Sequence, residues 1–251
     1  MPQPTAAIVA IGDELLSGRT KDINIGFLAD WLTARNVALR EARIVADDIG
    51  AIAEAVNAMR ASHDYVFTSG GIGPTHDDIT VEGVAAAFEV DVIEHPDAIA
   101  LLERWYASRN EEVTPARRRM ARTPAGAVLI QNRETGAPGV RVDNVFVLAG
   151  VPSIFRAMLS AIEPEIEGGA KVFARAVTAP GLPESRLASG LAAMQEKAPA
   201  VTIGSYPIDD DERGVTIVAR SEDASAVDRV IEEVSTLMRS FDVEPVPGDR
   251  K

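Results

Sequence analysis

The chain has 251 residues, 46% hydrophobic and 25% charged, with 38 acidic against 25 basic side chains and a formal net charge of −13. That is enough chain for one large domain or a medium one with a small companion, and its long-range field repels polyphosphate, so no nucleic acid and no membrane is expected as a partner. There is no cysteine and there are three histidines, which excludes disulfides and thiolate metal centres and leaves a hard, oxygen-bound cation as the only candidate metal.

No apolar run reaches the ~18 residues of a membrane span, and Met1-Pro2-Gln3-Pro4 lacks the charged start and apolar stretch of a secretory leader. The expected location is cytoplasmic. Residues 6–11 (AAIVAI) form a short continuous apolar run, the pattern of a strand buried on both faces. After Gly12-Asp13, the residues Ile23, Phe27, Leu28, Trp31 and Leu32 recur on one side of a helix, with Trp31 expected in the core. Residues 37–45 read as a strand. Asp47-Asp48 can cap a second helix with the stripe Ile49, Ile52, Ala53, Val56 and Met59. Residues 65–68 give a third strand, and Val81, Val84, Ala85 and Phe88 mark a third helix. Repeated β-α crossovers predict an α/β fold with a mostly parallel sheet and helices on both faces.

From residue 95 the pattern changes. Residues 96–109 and 115–122 read as helices, the second carrying Arg117, Arg118, Arg119 and Arg122. Residues 128–131 and 145–148 read as strands, with ETGAPG (134–139) as the turn between them and a helix over 154–162. EGGAK (167–171) is the linker. It divides the chain into a domain of 1–168 and a small α+β domain of 169–251. The second domain is expected as strand 172–178, helix 184–197, strands 201–206 and 215–220 around a PIDDDERG turn, and helix 224–241, a βαββα order with a frayed tail.

Ligands of open parallel sheets sit outside the carboxyl ends of the strands. GDELLSGRTKDIN (12–24), SGGIGPTHDD (69–78) and AGVPS (149–153) all follow strands, so they are expected on one rim. Two readings of the middle loop stand. In one it is a tight turn, with Asp78 or Thr80 as the helix N-cap. In the other, the N–H groups of Gly71 and Gly73 and the helix N-terminus cradle a phosphate. Asp78, with Asp77, Asp13, Glu14 and Asp22, then supplies oxygen to a divalent cation that offsets its charge. His76 is either solvated or a phosphate contact. The arginines of 117–122 are either a solvated face or a phosphate clamp, and His63 and His95 are surface residues.

Taken together, "GDELLSGRTKDIN", "TSGGIGPTHDDITVEGVAAAF", "GAPG" and "GVPS" resemble the molybdopterin-binding domain family of molybdenum-cofactor biosynthesis (MoaB/Mog type), and within it the CinA-like and FAD-synthase branches. The resemblance covers about residues 5–165 and implies a three-layer α/β/α fold and a pocket for molybdopterin or an adenine nucleotide. Asp78 matches the aspartate essential for metal-assisted AMP transfer. Asp13, Gly18 and Asp22 match the first-loop pattern; Gly136, Ala137, Pro138 and Gly139, and Gly150 and Pro152, match later pocket segments. Ile154 departs from the glutamate of many relatives, so no acid is implied there.

The expectation is therefore a phosphorylated small-molecule ligand and a divalent metal (Mg, Mn or Co) held by Asp13 and Asp78. Asp78, Asp77 and Asp13 are catalytic, and Gly12, Ser69, Gly70, Gly71, Gly73, Pro74 and Thr75 line the ligand. The implied activity is a nucleotide pyrophosphatase of the FAD or ADP-ribose class. The alternatives are molybdopterin adenylyltransfer and a non-catalytic binding protein, and the resemblance implies a dimer or trimer.

Overall fold

The sheet of the first unit explains the continuous apolar runs. The computed structural model describes residues 3–208 and 214–248, in two units, Met1–Gly169 and Ala170–Lys251. In the first, the chain runs β1 (Thr5–Ile11), α1 (Asp13–Leu16), α2 (Asn24–Thr33), β2 (Ala38–Val45), α3 (Ile49–Arg60), β3 (Tyr65–Ser69), α4 (Thr80–Ala87), β4 (Val92–Glu94), α5 (Pro96–Ala107), α6 (Pro115–Arg118), β5 (Arg122–Pro124), β6 (Val128–Ile130), β7 (Gly139–Val142), β8 (Val145–Leu148) and α7 (Pro152–Ile162). The main sheet has the order β2-β1-β3-β8-β7-β6. β2, β1, β3 and β8 run parallel, while β7 and β6 are antiparallel additions.

Side-chain alternation divides each central strand between two cores. Ala6 and Ile8 of β1, Phe67 of β3 and Phe146 and Leu148 of β8 face Leu28 and Leu32 of α2 and Phe155, Met158 and Leu159 of α7. Ala7, Val9 and Ile11, with Val66, Val145 and Val147, face Ile52, Val56 and Met59 of α3 and Val84 of α4. This is the three-layer α/β/α arrangement. Removing these side chains from water at about 25 cal/mol per Å² of apolar surface is the main force holding the layers together.

Several local expectations are corrected. The segment 134–142 is more than a turn, because Gly139–Val142 forms β7 between the two expected strands. The helix expected over 115–122 is only α6; a 3-10 turn, Arg119–Ala121, follows, and Arg122–Pro124 pairs with β4. Pro124 supplies no N–H to continue a helix. Trp31 is half-buried at the edge of the core, with the Arg35 guanidinium 3.8 Å over its ring. Ile49 is exposed, at 43%. His95 caps α5, its Nδ1 accepting from the Asp97 N–H at 3.2 Å.

The second unit follows as β9 (Phe173–Pro180), α8 (Ala188–Lys197), β10 (Thr202–Ile208), β11 (Gly214–Ser221), α9 (Ala224–Arg239) and β12 (Val246–Pro247). Its antiparallel sheet, in the order β10-β11-β9-β12, carries Val215, Ile217 and Ala219 into one core with Val227, Val230, Val234 and Met238 of α9. The tail is not frayed throughout: Val246 and Pro247 pair with Thr178 and Val177. Most of the expected PIDDDERG turn, 209–213, and residues 249–251 lie outside the described residues. Among the described residues, no helix is long and apolar enough to cross a membrane.

Candidate active site at the carboxyl edge of the parallel strands

Because β1, β2, β3 and β8 are parallel, the loops leaving their carboxyl ends gather on one edge. Asn24, at the start of α2 and only 4% exposed, ties three of them together. Its Nδ2 donates to Ser69 Oγ at 2.9 Å and to the Gly150 carbonyl at 2.8 Å. Thr80, fully buried, ties the glycine loop back on itself: its hydroxyl donates to the Gly70 carbonyl at 2.8 Å and its N–H to the Gly71 carbonyl at 3.0 Å. Gly70 donates in turn to Leu148 at 3.2 Å. Among the described residues the N–H groups of Gly71, Ile72 and Gly73 have no acceptor.

These loops border a cavity of about 600 Å³, within the ~300–1,000 Å³ range of small-molecule sites. Part of its wall is apolar, formed by Tyr106, Met120, Val151, Ile154 and Met158. The rest includes Gly70, Gly71, Gly73 and Pro74 and the acidic residues Glu14, Asp47, Asp77 and Asp78. A lining of this mixed kind suits a ligand that combines an apolar ring with charge.

Asp78 does not cap a helix. The N-cap of α4 is Ile79, with no side-chain cap, so neither Asp78 nor Thr80 has that expected role. Asp78 Oδ2 accepts instead from the Thr75 N–H at 2.8 Å and the Thr75 hydroxyl at 2.5 Å. No hydrogen bond ties Oδ1 to the described chain. A Cβ on Gly73 would lie 2.6 Å from the Asp78 carboxylate, so a larger residue there would displace that side chain. The Asp77 carboxyl is held below the usual carboxylate range, chiefly by the Thr75 hydroxyl and then by its own N–H.

The remaining sequence-derived residues separate. Gly12 lines the cavity, and the Glu14 carboxylate folds over it, 2.5 Å from where a Cβ would stand. Asp13 is exposed and outside the lining; its N–H donates to Asp47 Oδ2 at 2.9 Å. Gly18 is exposed with open space around it, and Asp22 Oδ1 accepts from the Ile25 N–H at 2.8 Å at the start of α2. Ser69 lies beneath the loop as the partner of Asn24, and Thr75 acts through Asp78. Ala137 and Gly150 line the cavity, and Pro138 and Gly139 line a small recess beside it. Gly136 packs directly on Trp105, and Pro152 opens α7. His76 is solvated, its side chain 98% exposed.

Sequence reasoning missed Asp47, Asn24, Asn132, Tyr106 and Met120. Asn132 shapes the 132–139 loop, its Nδ2 donating to the Ala137 carbonyl at 3.0 Å and to Thr135 Oγ1 at 2.7 Å. Asp47 carried a signal, since β2 is one of the parallel strands and its carboxyl end must reach the same rim.

A family profile described as a probable molybdopterin binding domain matches residues 7–168. The chain belongs to this molybdopterin-binding family. Residues 172–246 of this family member match a second profile, the FAD synthase middle domain. An Aeropyrum pernix protein is 35% identical over 212 residues, covering 81% of this chain and 79% of the relative. A CinA-like protein of Desulfosudis oleivorans is 34% identical over 209 residues, covering 79% of this chain. The chain spans about half of that relative, 51% of its length. The crystal structure of the protein CinA, of unknown function, from Thermoplasma acidophilum superposes with a TM-score of 0.60 at 35% identity, over 65% of this chain and 99% of that one.

Proposed function

We propose that this member of the molybdopterin-binding family holds a phosphorylated pterin or nucleotide in the 600 Å³ cavity and hydrolyses the pyrophosphate bond of a dinucleotide of the FAD or ADP-ribose class. One observation carries the reading. Three consecutive backbone N–H groups, 71 to 73, lack acceptors among the described residues, beside a carboxylate that caps no helix. Unpaired N–H groups in a glycine loop are donors suited to phosphate oxygens. The apolar wall suits the ring, and the FAD synthase match of residues 172–246 favours a flavin or adenine dinucleotide.

In this reading water adds to one phosphorus, the bridging P–O bond breaks, and two monophosphates leave. Asp78 Oδ1 orients the water and accepts its proton, while Thr75 fixes the carboxylate through Oδ2. The N–H groups at 71–73 hold the charge that develops on phosphate oxygens, and the apolar wall limits competing water.

Among the described residues no three of Asp, Glu, His or Cys gather into a metal cage. The donor set fits a cation shared with phosphate, because Mg²⁺ commonly takes one or two carboxylates and completes its shell with substrate oxygens and water. Asp78, with Glu14 or Asp47, would hold it, and a divalent ion there supplies charge neutralisation of the pyrophosphate.

The test is turnover of FAD and ADP-ribose with Mg²⁺, Mn²⁺ or Co²⁺. Asp78→Ala is expected to retain its melting temperature and lose ~10²–10³ in rate; full activity in that variant overturns the assignment. Family membership favours a second reading, transfer of AMP from ATP to molybdopterin, which the same protein reveals as adenylylated product when those two substrates replace the dinucleotide.

A further inference from the structure

The arginines of 117–122 do not act alike. Arg117 pairs with Glu111, and its guanidinium lies 4.0 Å over the Tyr106 ring. Arg118 pairs with Glu94 at 2.9 Å and Arg122 with Glu82 at 2.8 Å. Arg119 has no acidic partner among the described residues, and its Nε is buried without a hydrogen bond. It lines the small recess, about 20 Å³, together with Gly71, Gly73 and Asp78, which also border the main cavity. That volume takes about one water-sized atom group, such as a single phosphate oxygen.

A guanidinium stays charged at every relevant pH and carries a rigid fork of five donors. Burying one of those donors without an acceptor is unfavourable, so the arrangement is that of a site completed by an anion. The neighbouring Asp78 does not fill that role, since it forms no ion pair with Arg119 and its Oδ2 is taken by Thr75. The residues whose N–H groups have no acceptor among the described residues, Gly71, Ile72 and Gly73, line the same recess and suit the same kind of ligand.

We propose that Arg119 fixes the phosphate of a nucleotide ligand, donating to an oxygen of the group that the 71–73 backbone holds, and so makes the site select phosphorylated ligands over the bare nucleoside. The inference rests on the nucleotide reading above and extends it to a residue outside the glycine loop.

The experiment is calorimetric titration in Mg²⁺ with AMP, which has no pyrophosphate bond to cleave, and with adenosine. The wild type is expected to bind AMP more tightly. Arg119→Met should weaken AMP binding about 10- to 100-fold, as expected for a lost charge-assisted hydrogen bond, with adenosine binding unchanged. Arg118→Gln, which removes the same charge away from both cavities, should bind both ligands as the wild type does. If Arg119→Met binds AMP normally, the role of Arg119 is overturned while the nucleotide site stands. If the wild type shows no preference for AMP, the nucleotide reading falls and this inference with it. Should Arg119→Met fail to fold, Arg119→Lys replaces it: a several-fold loss confined to AMP supports the role, and no loss overturns it.

Discussion

The loops after β1 and β3 reach the same sheet edge and carry similar residues, glycines beside aspartates, yet they are built in opposite ways. Residues 70–80 are pinned to β8 at Leu148, tied back on themselves by Thr80 and, through the adjacent Ser69, held by Asn24. A Cβ on Gly70 would overlap the Ile11 carbonyl oxygen. The first loop projects instead: residues 16–21 are exposed, Leu16 and Ile23 stand 55% and 53% open, and nothing approaches Gly18. Only its first residues, Gly12 and Glu14, border the cavity. At this edge, the glycine-aspartate stretch that contributes most to the cavity lining is the one tied back on itself and to β8.

The contrast is broken most directly with the two aspartates. Asp78→Ala should lose ~10²–10³ in turnover, whereas Asp13→Ala, whose side chain lies outside the cavity lining, should stay within a few-fold of wild type; equal losses would erase the distinction. Gly70→Ala comes next. Its φ of 109° and the Ile11 carbonyl leave no room for a methyl group, so chemical denaturation should show a loss of about 3 kcal/mol. Asn24→Ala removes both ties at the rim, one of them to the buried Ser69 hydroxyl, for about 2 kcal/mol.

Gly18→Ala sharpens the comparison from the other side. With φ at 72° and open surroundings, only backbone strain remains, about 1 kcal/mol, and ligand affinity should not change. The smallest effect belongs to the amino ends of the same strands. The Asp64 carboxylate accepts from the Thr5 N–H at 2.7 Å and the Thr5 hydroxyl at 2.8 Å, and these bonds hold its pKa below the ordinary value. Its stabilisation is therefore complete above about pH 4, the unfolded value, and fades as pH falls through the lower folded value. Asp64 is exposed, so solvent screening limits the effect to at most ~1 kcal/mol. Melting curves of Asp64→Asn should differ from wild type at pH 7 and converge with it in acid.

Much of the layering was legible because strands buried on both faces must be apolar throughout, as residues 6–11 are. β7 was not, because its GVRV stretch is four residues long and broken by an arginine. Asp47 and Asp48 show a second limit. Both suit a helix start, but Asp48 caps α3 by accepting from the Ala51 N–H at 2.8 Å, while Asp47 turns to the cavity. Adjacent identical residues carry no local mark of which does which. Tyr106 and Met120 come from an arm outside the main sheet, whose small core of Ala98, Leu102, Ala121 and Ala137 places them; no periodicity in their own segments points to a ligand.

The double tie made by Asn24 also constrains redesign. With one amide holding the start of α2, the end of β3 and the turn into α7 together, the strand side of the cleft cannot be widened one element at a time. A variant meant to admit a bulkier ring should be sought by trimming Tyr106 or Met120, whose replacement leaves that three-way clasp intact.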